Sequence, residues 1–188
     1  LARLIGPNPA ELRFVKVYPR TLESLDAVRD VTASVGKERV LDIELPAGEH
    51  VVACGIMERG YCEVTFGVSG ASGPTMDHMQ KRVTRSYLDR LRGVEKTWGE
   101  PLSKYVRAIF CDSIETMGAN WTHDMVESFR QRKGYDITPW LPFAVEEEGE
   151  GEKFTAAFLS QIRRVRYDWN EHVADTFLGN FTAEFSAF

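Results

Sequence analysis

The sequence predicts an α/β fold, in which a β-rich segment over residues 1–70 precedes part of a (β/α)8 TIM-like barrel over residues 71–188. Period-two alternation of apolar residues dominates the later part of the first segment, which is typical of half-buried strands. Helical periodicity takes over in the second segment, where one short apolar run resembles a buried strand between helices. A complete eight-unit barrel takes about 250 residues, so the second segment holds only a fraction of one.

Turn sequences divide the predicted β-rich segment. Apolar and acidic residues alternate over 41–45, turn residues follow at 46–49, and the apolar run 51–57 comes next, which is a hairpin signal. After a second turn, residues 61–68 alternate again and extend the hairpin to an antiparallel meander. The glycine-rich and serine-rich stretch 69–74 then predicts a loop or a boundary.

Helical periodicity predicts three helices after that loop. The first has one apolar face, and Gly93 is available to end it. Thr122 is a candidate cap for a second helix over about 123–133, which Gly134 would end. The third is a long amphipathic stripe from Phe154 to Phe181, which we interpret as a packing surface.

The apolar run Tyr105 to Cys111 predicts a buried strand that leads directly into the segment Asp112 to Glu115. The carboxyl ends of barrel strands present polar groups to a substrate, so Asp112 and Glu115 are candidate catalytic residues. Glycosidic cleavage generally needs one carboxylic acid to protonate the leaving oxygen and a second carboxylate to activate water or attack carbon. The same pair could instead bind a metal ion such as calcium, or Asp112 could turn the chain while Glu115 is solvated.

Two further segments carry side chains suited to a sugar. Trp121 lies six residues after Glu115, and its indole could stack on a sugar ring, although a partly buried core tryptophan is the commoner role. Asp77 and His78 follow the glycine-rich loop and form a second polar cluster. Asp77 could equally be favoured near a helix start by the helix dipole.

Composition excludes several classes of function. With 43% hydrophobic and 27% charged residues among 188, the chain has ordinary globular composition. The formal net charge is −5 and no basic stripe is present, so nucleic acid is not an expected partner. No apolar run approaches the roughly 18 residues needed to cross a bilayer, so no membrane partner is expected either.

The cysteines and the remaining histidines indicate no metal site. Three cysteines without C-x-x-C spacing fall in apolar runs, where we expect buried free thiols: Cys54, Cys62 and Cys111. Three histidines lack metal-ligand spacing, and we expect surface or cap positions for them: His50, His123 and His172. Buried thiols suit a reducing compartment but also a larger secreted protein, so the sequence leaves cytoplasmic and exported locations open.

The chain begins at Leu1 without methionine and ends just after a helical pattern, so we expect a fragment of a larger soluble protein. Half of a barrel would expose a large apolar edge. The missing remainder of the barrel, or an oligomer partner, is expected to cover it.

Five segments, by their order and spacing, resemble the glycoside hydrolase family 106 α-L-rhamnosidases and their relatives. They are Leu45-Pro46-Ala47-Gly48-Glu49, Gly73-Pro74-Thr75-Met76-Asp77-His78, Phe110-Cys111-Asp112-Ser113-Ile114-Glu115, Asn120-Trp121-Thr122, and Arg132-Lys133-Gly134-Tyr135-Asp136 with Pro139 and Pro142. The resemblance implies a (β/α)8 catalytic barrel, interrupted by β-rich material, that removes terminal rhamnose from glycans with inversion and with calcium in the site.

The resemblance also implies roles for particular residues. Glu115 is similar to the family's strand-end acidic residue, a general acid or a calcium-associated group, with Asp112 as a supporting carboxylate. Asp77 and His78 resemble substrate-pocket residues, and Trp121 with its neighbour Asn120 completes the expected substrate-binding set. The water-activating carboxylate is expected on a later strand, so the isolated segment should be inactive.

Two other interpretations remain open from the sequence. The first is a carbohydrate-binding or scaffold protein that keeps the fold and the Trp121 platform without hydrolysis. The second is an unrelated α/β domain in which Asp112 and Glu115 bind a structural cation.

Overall fold

The structure is a computed structural model that describes residues 10–58, 69–70, 73, 75–108, 118–145 and 153–188. Strands and helices both occur in these ranges, which confirms the mixed α/β class. In chain order the elements are β1 (Ala10–Pro19), β2 (Thr21–Leu22), β3 (Arg29–Asp30), β4 (His50–Glu58), α1 (Lys81–Trp98), α2 (Met125–Lys133), α3 (Leu141–Ala144), β5 (Lys153–Phe154) and α4 (Ala156–Ser186).

The chain divides into two compact units, and each unit is built from two separate stretches of sequence. Unit 1 comprises Leu1–Glu63 and Asp124–Asn170, and unit 2 comprises Val64–His123 and Glu171–Phe188. Helix α4 therefore supplies residues to both units. The predicted division of the chain into segments 1–70 and 71–188 stays a prediction.

Strand β1 is the centre of a three-stranded antiparallel sheet in unit 1, with the order β3-β1-β4. The apolar run 51–57 is confirmed as strand β4, but its partner is β1, whose register runs from Ala10 opposite Glu58 to Pro19 opposite His50. Gly55 lies opposite Phe14, where a β-carbon would overlap the Phe14 ring. A side chain at this position would therefore require the Phe14 ring to shift.

The predicted hairpin partner of β4 over residues 41–45 is wrong. Leu41 makes one isolated bridge with Val35, and residues 42–45 are not in a strand. The alternation there has another physical cause, because Leu41 and Ile43 are partly buried against the cluster of Val15, Val17 and Val31. Apolar side chains at every second position can thus come from a loop that covers a sheet.

A second core of unit 1 joins the sheet to the helices. Five buried side chains form it: Tyr18, Leu22, Phe143, Phe158 and Ile162. The Phe143 ring lies 5.1 Å from Tyr18 and 5.6 Å from Phe158, between centroids. Strands β2 and β5 pair in parallel beside this core. Aromatic packing of this kind stabilises through buried area and edge-to-face contacts.

The amphipathic stripe predicted from Phe154 to Phe181 is confirmed as helix α4 over most of its length. Phe158, Ile162 and Trp169 are fully or almost fully buried, as a packing face requires. The surface or cap position predicted for His172 is wrong, because its side chain is 0% exposed. His172 follows Trp169 by three residues, so helical geometry places it on the same buried face.

The first predicted helix is confirmed as α1, but its end is wrong. Gly93 lies inside the helix, and Gly99 ends it in the left-handed conformation with φ of 73° while its N–H donates to the Glu95 carbonyl at 2.8 Å. An interior glycine costs a helix only about 1 kcal/mol, which a buried side chain such as Leu88 offsets. The glycine that ends a helix is the one whose backbone must adopt a positive φ.

The strand predicted over 105–111 is wrong for its described part, residues 105–108. The backbone N–H groups of Tyr105 and Val106 both donate to the carbonyl of Leu102, which closes a helical turn. Tyr105 is also 55% exposed, whereas a strand buried on both faces would cover it. Residues 109–111 lie outside the described residues.

Cys54 on β4 is a partly buried free thiol, and burial raises its pKa. Cys62 and Cys111 lie outside the described residues, as do the strand predicted at 61–68 and half of the loop 69–74.

None of the helices among the described residues is long and apolar enough to cross a membrane.

Candidate functional site

Two segments that carry predicted substrate-binding residues meet in unit 2. The hydroxyl of Thr122 donates a hydrogen bond to Oδ2 of Asp77 at 2.7 Å, across 45 positions of sequence. Asp77 and His78 lie on one segment, and Asn120 and Trp121 directly precede Thr122 on the other. The bond therefore brings all four predicted substrate-binding residues into one region.

The carboxylate of Asp77 organises its own loop before α1. Oδ1 accepts from the backbone N–H of Met79 at 3.0 Å, and Oδ2 accepts from Nε2 of Gln80 at 2.6 Å as well as from Thr122. The bond to an N–H two residues onward is an Asx turn, which fixes the backbone that enters the helix. A carboxylate has about four acceptor positions, so these three bonds occupy most of them.

The role predicted for Thr122 as a helix cap is wrong. Helix α2 begins at Met125, and Asp124 occupies the position before it. Thr122 is buried, with 3% exposure, and its hydroxyl donates to Asp77 instead. The predicted end of this helix is confirmed, because Gly134 has φ of 80° and its N–H donates to the Arg130 carbonyl at 2.9 Å.

His78 is half-buried next to the second half of α4. Its ring centroid lies 5.3 Å from that of Phe177, with the planes tilted by 57°. Burial lowers the pKa of His78 below its ordinary value, while the charge of Asp77 acts in the opposite direction. The imidazole is therefore neutral at neutral pH and has one donor and one acceptor nitrogen, which suits hydrogen bonds to hydroxyl groups.

Asn180 is a residue that the sequence did not mark as part of the site. Its side-chain amide on α4 donates to the backbone carbonyl of Met79. The available signal was a polar residue in the apolar stripe of α4, next to Phe181. The tripeptide from Asp77 to Met79 is thus bonded to the Thr122 segment at one end and to α4 at the other.

Trp121 and Asn120 are partly buried, and Gly118 with φ of 84° lies at the start of their described segment. The predicted catalytic and metal-binding residues Asp112 and Glu115 lie outside the described residues. Among the residues that are described, no group of three or more histidine, cysteine, aspartate or glutamate side chains is placed to hold a metal ion.

Comparison with known proteins gives the context for these contacts. A solved structure, the rhamnosidase from Novosphingobium sp. PP1Y, is similar with 29% identity and a TM-score of 0.63. The similarity covers 87% of this chain and 16% of that one, so this chain spans about one sixth of the length of the solved rhamnosidase. No curated protein matches the chain.

The family model of the glycoside hydrolase family 106 alpha-L-rhamnosidases matches residues 13–185. That range contains every residue of the Asp77 and Thr122 cluster together with Asp112 and Glu115. The resemblance seen in five sequence segments is confirmed. The chain therefore belongs to the glycoside hydrolase family 106 alpha-L-rhamnosidases.

Proposed function

We propose that this chain is part of the catalytic domain of an inverting α-L-rhamnosidase, and that the full-length protein removes terminal rhamnose from glycans. The observation that carries the proposal is the family match over residues 13–185, which spans most of the chain. The convergence of the segments around Asp77 and Thr122 supports it, because a sugar pocket needs polar and aromatic groups from separate parts of the chain.

In this proposal Glu115 is the general acid. Its proton passes to the glycosidic oxygen as the bond from that oxygen to the anomeric carbon breaks. A water molecule attacks the anomeric carbon from the opposite face, and its proton passes to a second carboxylate supplied by the rest of the protein. In inverting enzymes the two carboxyl groups are roughly 6.5–9.5 Å apart, which leaves room for that water.

The remainder of a (β/α)8 barrel would come from the rest of the full-length protein or from an oligomer partner. The solved rhamnosidase is consistent with the first source, because this chain covers only 16% of it. The second carboxylate would lie in that remainder. The isolated 188-residue chain should therefore have no hydrolytic activity.

The sugar would contact His78, Asn120 and Trp121. The neutral imidazole of His78 can donate to one hydroxyl and accept from another. The Trp121 indole offers an apolar face for the sugar ring. Asp77 borders the same pocket, with most of its acceptor positions already occupied by Met79, Gln80 and Thr122.

Calcium is the proposed cofactor, and the carboxylates of Asp112 and Glu115 are its candidate ligands, because their oxygen donors are the type that this cation prefers. When bound, calcium would attract sugar hydroxyl oxygens and orient the ring. A general acid must carry a proton that a metal ligand lacks, so Glu115 can fill only one of these roles at a time. We assign Glu115 to proton donation and Asp112 to calcium.

Release of nitrophenol from an aryl α-L-rhamnoside by the full-length protein tests this function. Glu115→Gln should lower kcat about a hundredfold or more, the range typical of lost acid catalysis. Glu127→Gln is the matched control, because Glu127 is an exposed glutamate on α2 whose contacts are with Arg130 and Gln131.

The control variant should keep full activity. A full-length protein that is inert on this substrate and on a panel of other aryl glycosides would contradict the hydrolase proposal. A carbohydrate-binding or scaffold role would then be the better interpretation.

A further inference from the structure

The loop that carries His78 is fixed from two directions within unit 2. On one side, the Thr122 hydroxyl donates to the Asp77 carboxylate at 2.7 Å. On the other side, the Asn180 amide donates to the Met79 carbonyl. His78 is the residue between these two anchored positions, so its backbone has little freedom while both bonds are intact.

The carboxylate of Asp77 has little capacity left for a sugar. Oδ2 accepts from both Gln80 and Thr122, at 2.6 and 2.7 Å, and Oδ1 accepts from the Met79 N–H at 3.0 Å. A sugar hydroxyl that bonded to Oδ2 would have to displace one of these donors. Because Thr122 is 3% exposed, water has little access to replace the lost bond, and the other polar atom near its hydroxyl is Nδ1 of His123 at 3.5 Å.

We infer that Thr122 and Asn180 are positioning residues for the sugar pocket, and that Asp77 acts through its bond to Thr122 to hold His78 and the Asn120–Trp121 segment instead of binding the sugar itself. This inference rests on the proposed function, since it concerns how that pocket is held. Bonds that hold these segments in place would lower the entropic cost of binding, because fewer groups have to be ordered when the sugar binds.

Kinetics of the full-length protein on the aryl α-L-rhamnoside test the inference. Thr122→Val keeps the shape of the side chain and removes its hydroxyl, whereas Thr122→Ser keeps the hydroxyl. We expect Thr122→Val to raise KM about tenfold with kcat within about twofold, which corresponds to a loss of about 1.4 kcal/mol in binding. The KM of Thr122→Ser should stay within about twofold of the KM of the unchanged protein.

A double-variant cycle separates positioning from direct contact. If Asp77 acts through Thr122, then Asp77→Ala combined with Thr122→Val should be no worse than Asp77→Ala alone. If Asp77 binds the sugar independently of Thr122, the two effects on KM should multiply. Multiplying effects, or a KM that Thr122→Val leaves unchanged, would overturn the inference.

The second anchor has its own control on the same helix. Asn180→Ala should also raise KM, whereas Asn170→Ala should not, because Asn170 is an exposed asparagine on α4. Equal KM values for the two variants would overturn the role of Asn180.

Hydrogen exchange separates failure of this inference from failure of the proposed function. Thr122→Val should speed exchange of the Met79 and Gln80 amides in the full-length protein, and Thr122→Ser should not. If the protein is inert but shows this exchange pattern, the rhamnosidase function and the sugar-positioning role are both wrong. The bond from Thr122 to Asp77 is then still confirmed as one that holds the loop. Unchanged exchange would overturn the anchor whether or not the protein is active.

Discussion

The phenolic hydroxyl of Tyr135 donates a hydrogen bond to Oδ2 of Asp168 at 3.1 Å, within unit 1. Asp168 is nearly buried and also pairs with Lys133 at 3.7 Å and Arg164 at 3.3 Å. Tyr135 and Lys133 flank the Gly134 that ends α2, so this carboxylate on α4 holds the end of α2 in place.

Loss of the Asp168 charge should destabilise unit 1. Asp168→Asn removes the carboxylate charge that pairs with the ammonium group of Lys133, whose side chain is 14% exposed. We expect the free energy of unfolding to fall by about 3 kcal/mol, as for other broken buried pairs. Urea unfolding of the 188-residue chain measures this, with the exposed Asp89→Asn as control. Equal losses in the two variants would contradict a special role for Asp168.

Tyr135 should ionise only at high pH. Burial, the charge of Asp168 and their hydrogen bond raise the pKa of Tyr135 from 10.0 to about 12. Because the folded pKa is raised, the stability that this phenol contributes is complete below pH 10 and is lost as the pH rises through about 12. An ultraviolet titration of tyrosinate should show one group near 12 that is absent in Tyr135→Phe. A spectrum in which Tyr135→Phe removes a group titrating near 10 would contradict this.

Gly55→Ala should destabilise the three-stranded sheet, because the added β-carbon would overlap the Phe14 ring on the neighbouring strand. Overpacking of this kind costs about 1–3 kcal/mol. Chemical denaturation measures the loss, and the second change Phe14→Leu should recover part of it by vacating the space. If the loss of stability caused by Phe14→Leu instead adds in full to the loss caused by Gly55→Ala, the added β-carbon does not overlap the Phe14 ring.

His78 should protonate below the pH of an ordinary histidine. Burial lowers its pKa from 6.5, so the neutral form favours folding, and that contribution is present above pH 6.5 and is lost as the pH falls through the folded pKa. Nuclear magnetic resonance of labelled histidines in the 188-residue chain measures each titration, and His78→Gln assigns the signal. A His78 signal that titrates at or above pH 6.5 would contradict the burial effect.

Calcium should bind the full-length protein through Asp112. Titration calorimetry should detect calcium binding, and Asp112→Asn should weaken the affinity about tenfold or more, since a ligand charge is lost. The readout is binding and is independent of hydrolysis. The exposed Asp89→Asn again serves as control. Equal calcium affinity in both variants would remove Asp112 from the proposed metal site.

Local signals predicted the elements whose cause is local. The stripe of α4 repeats an apolar residue on one helical face over Phe158, Ile162, Val165 and Trp169, and burial follows directly from that spacing. Gly134 ends α2 because glycine adopts the left-handed conformation at low cost. In both cases the sequence signal is local, although the residues that pack against the stripe, such as Tyr18 and Phe143, come from elsewhere in the chain.

Strand β1 has no period-two pattern that would predict it, because its buried residues run consecutively from Phe14 to Tyr18 and include the charged Lys16. Lys16 is only 4% exposed, since Asp30 on β3 accepts from its ammonium group at 3.1 Å. That compensation comes from a residue 14 positions away, so it becomes visible only when the strands pair.

The contacts of the candidate site could likewise not be predicted from local sequence alone. Asp77 and His78 were predicted from their own segment, but the partner of Asp77 was not, because Thr122 also suits a helix cap. Which of the two roles a threonine takes depends on what packs beside it, across 45 positions of sequence in this case.

The two stretches that form each unit alternate along the chain, so neither unit corresponds to one continuous stretch of coding sequence. A recombination event or a cloning boundary placed inside either of the two middle stretches, 64–123 or 124–170, would divide both units. Neither unit can therefore be expressed as one continuous segment, and an experiment that needs either one alone would have to join its two stretches with a new linker.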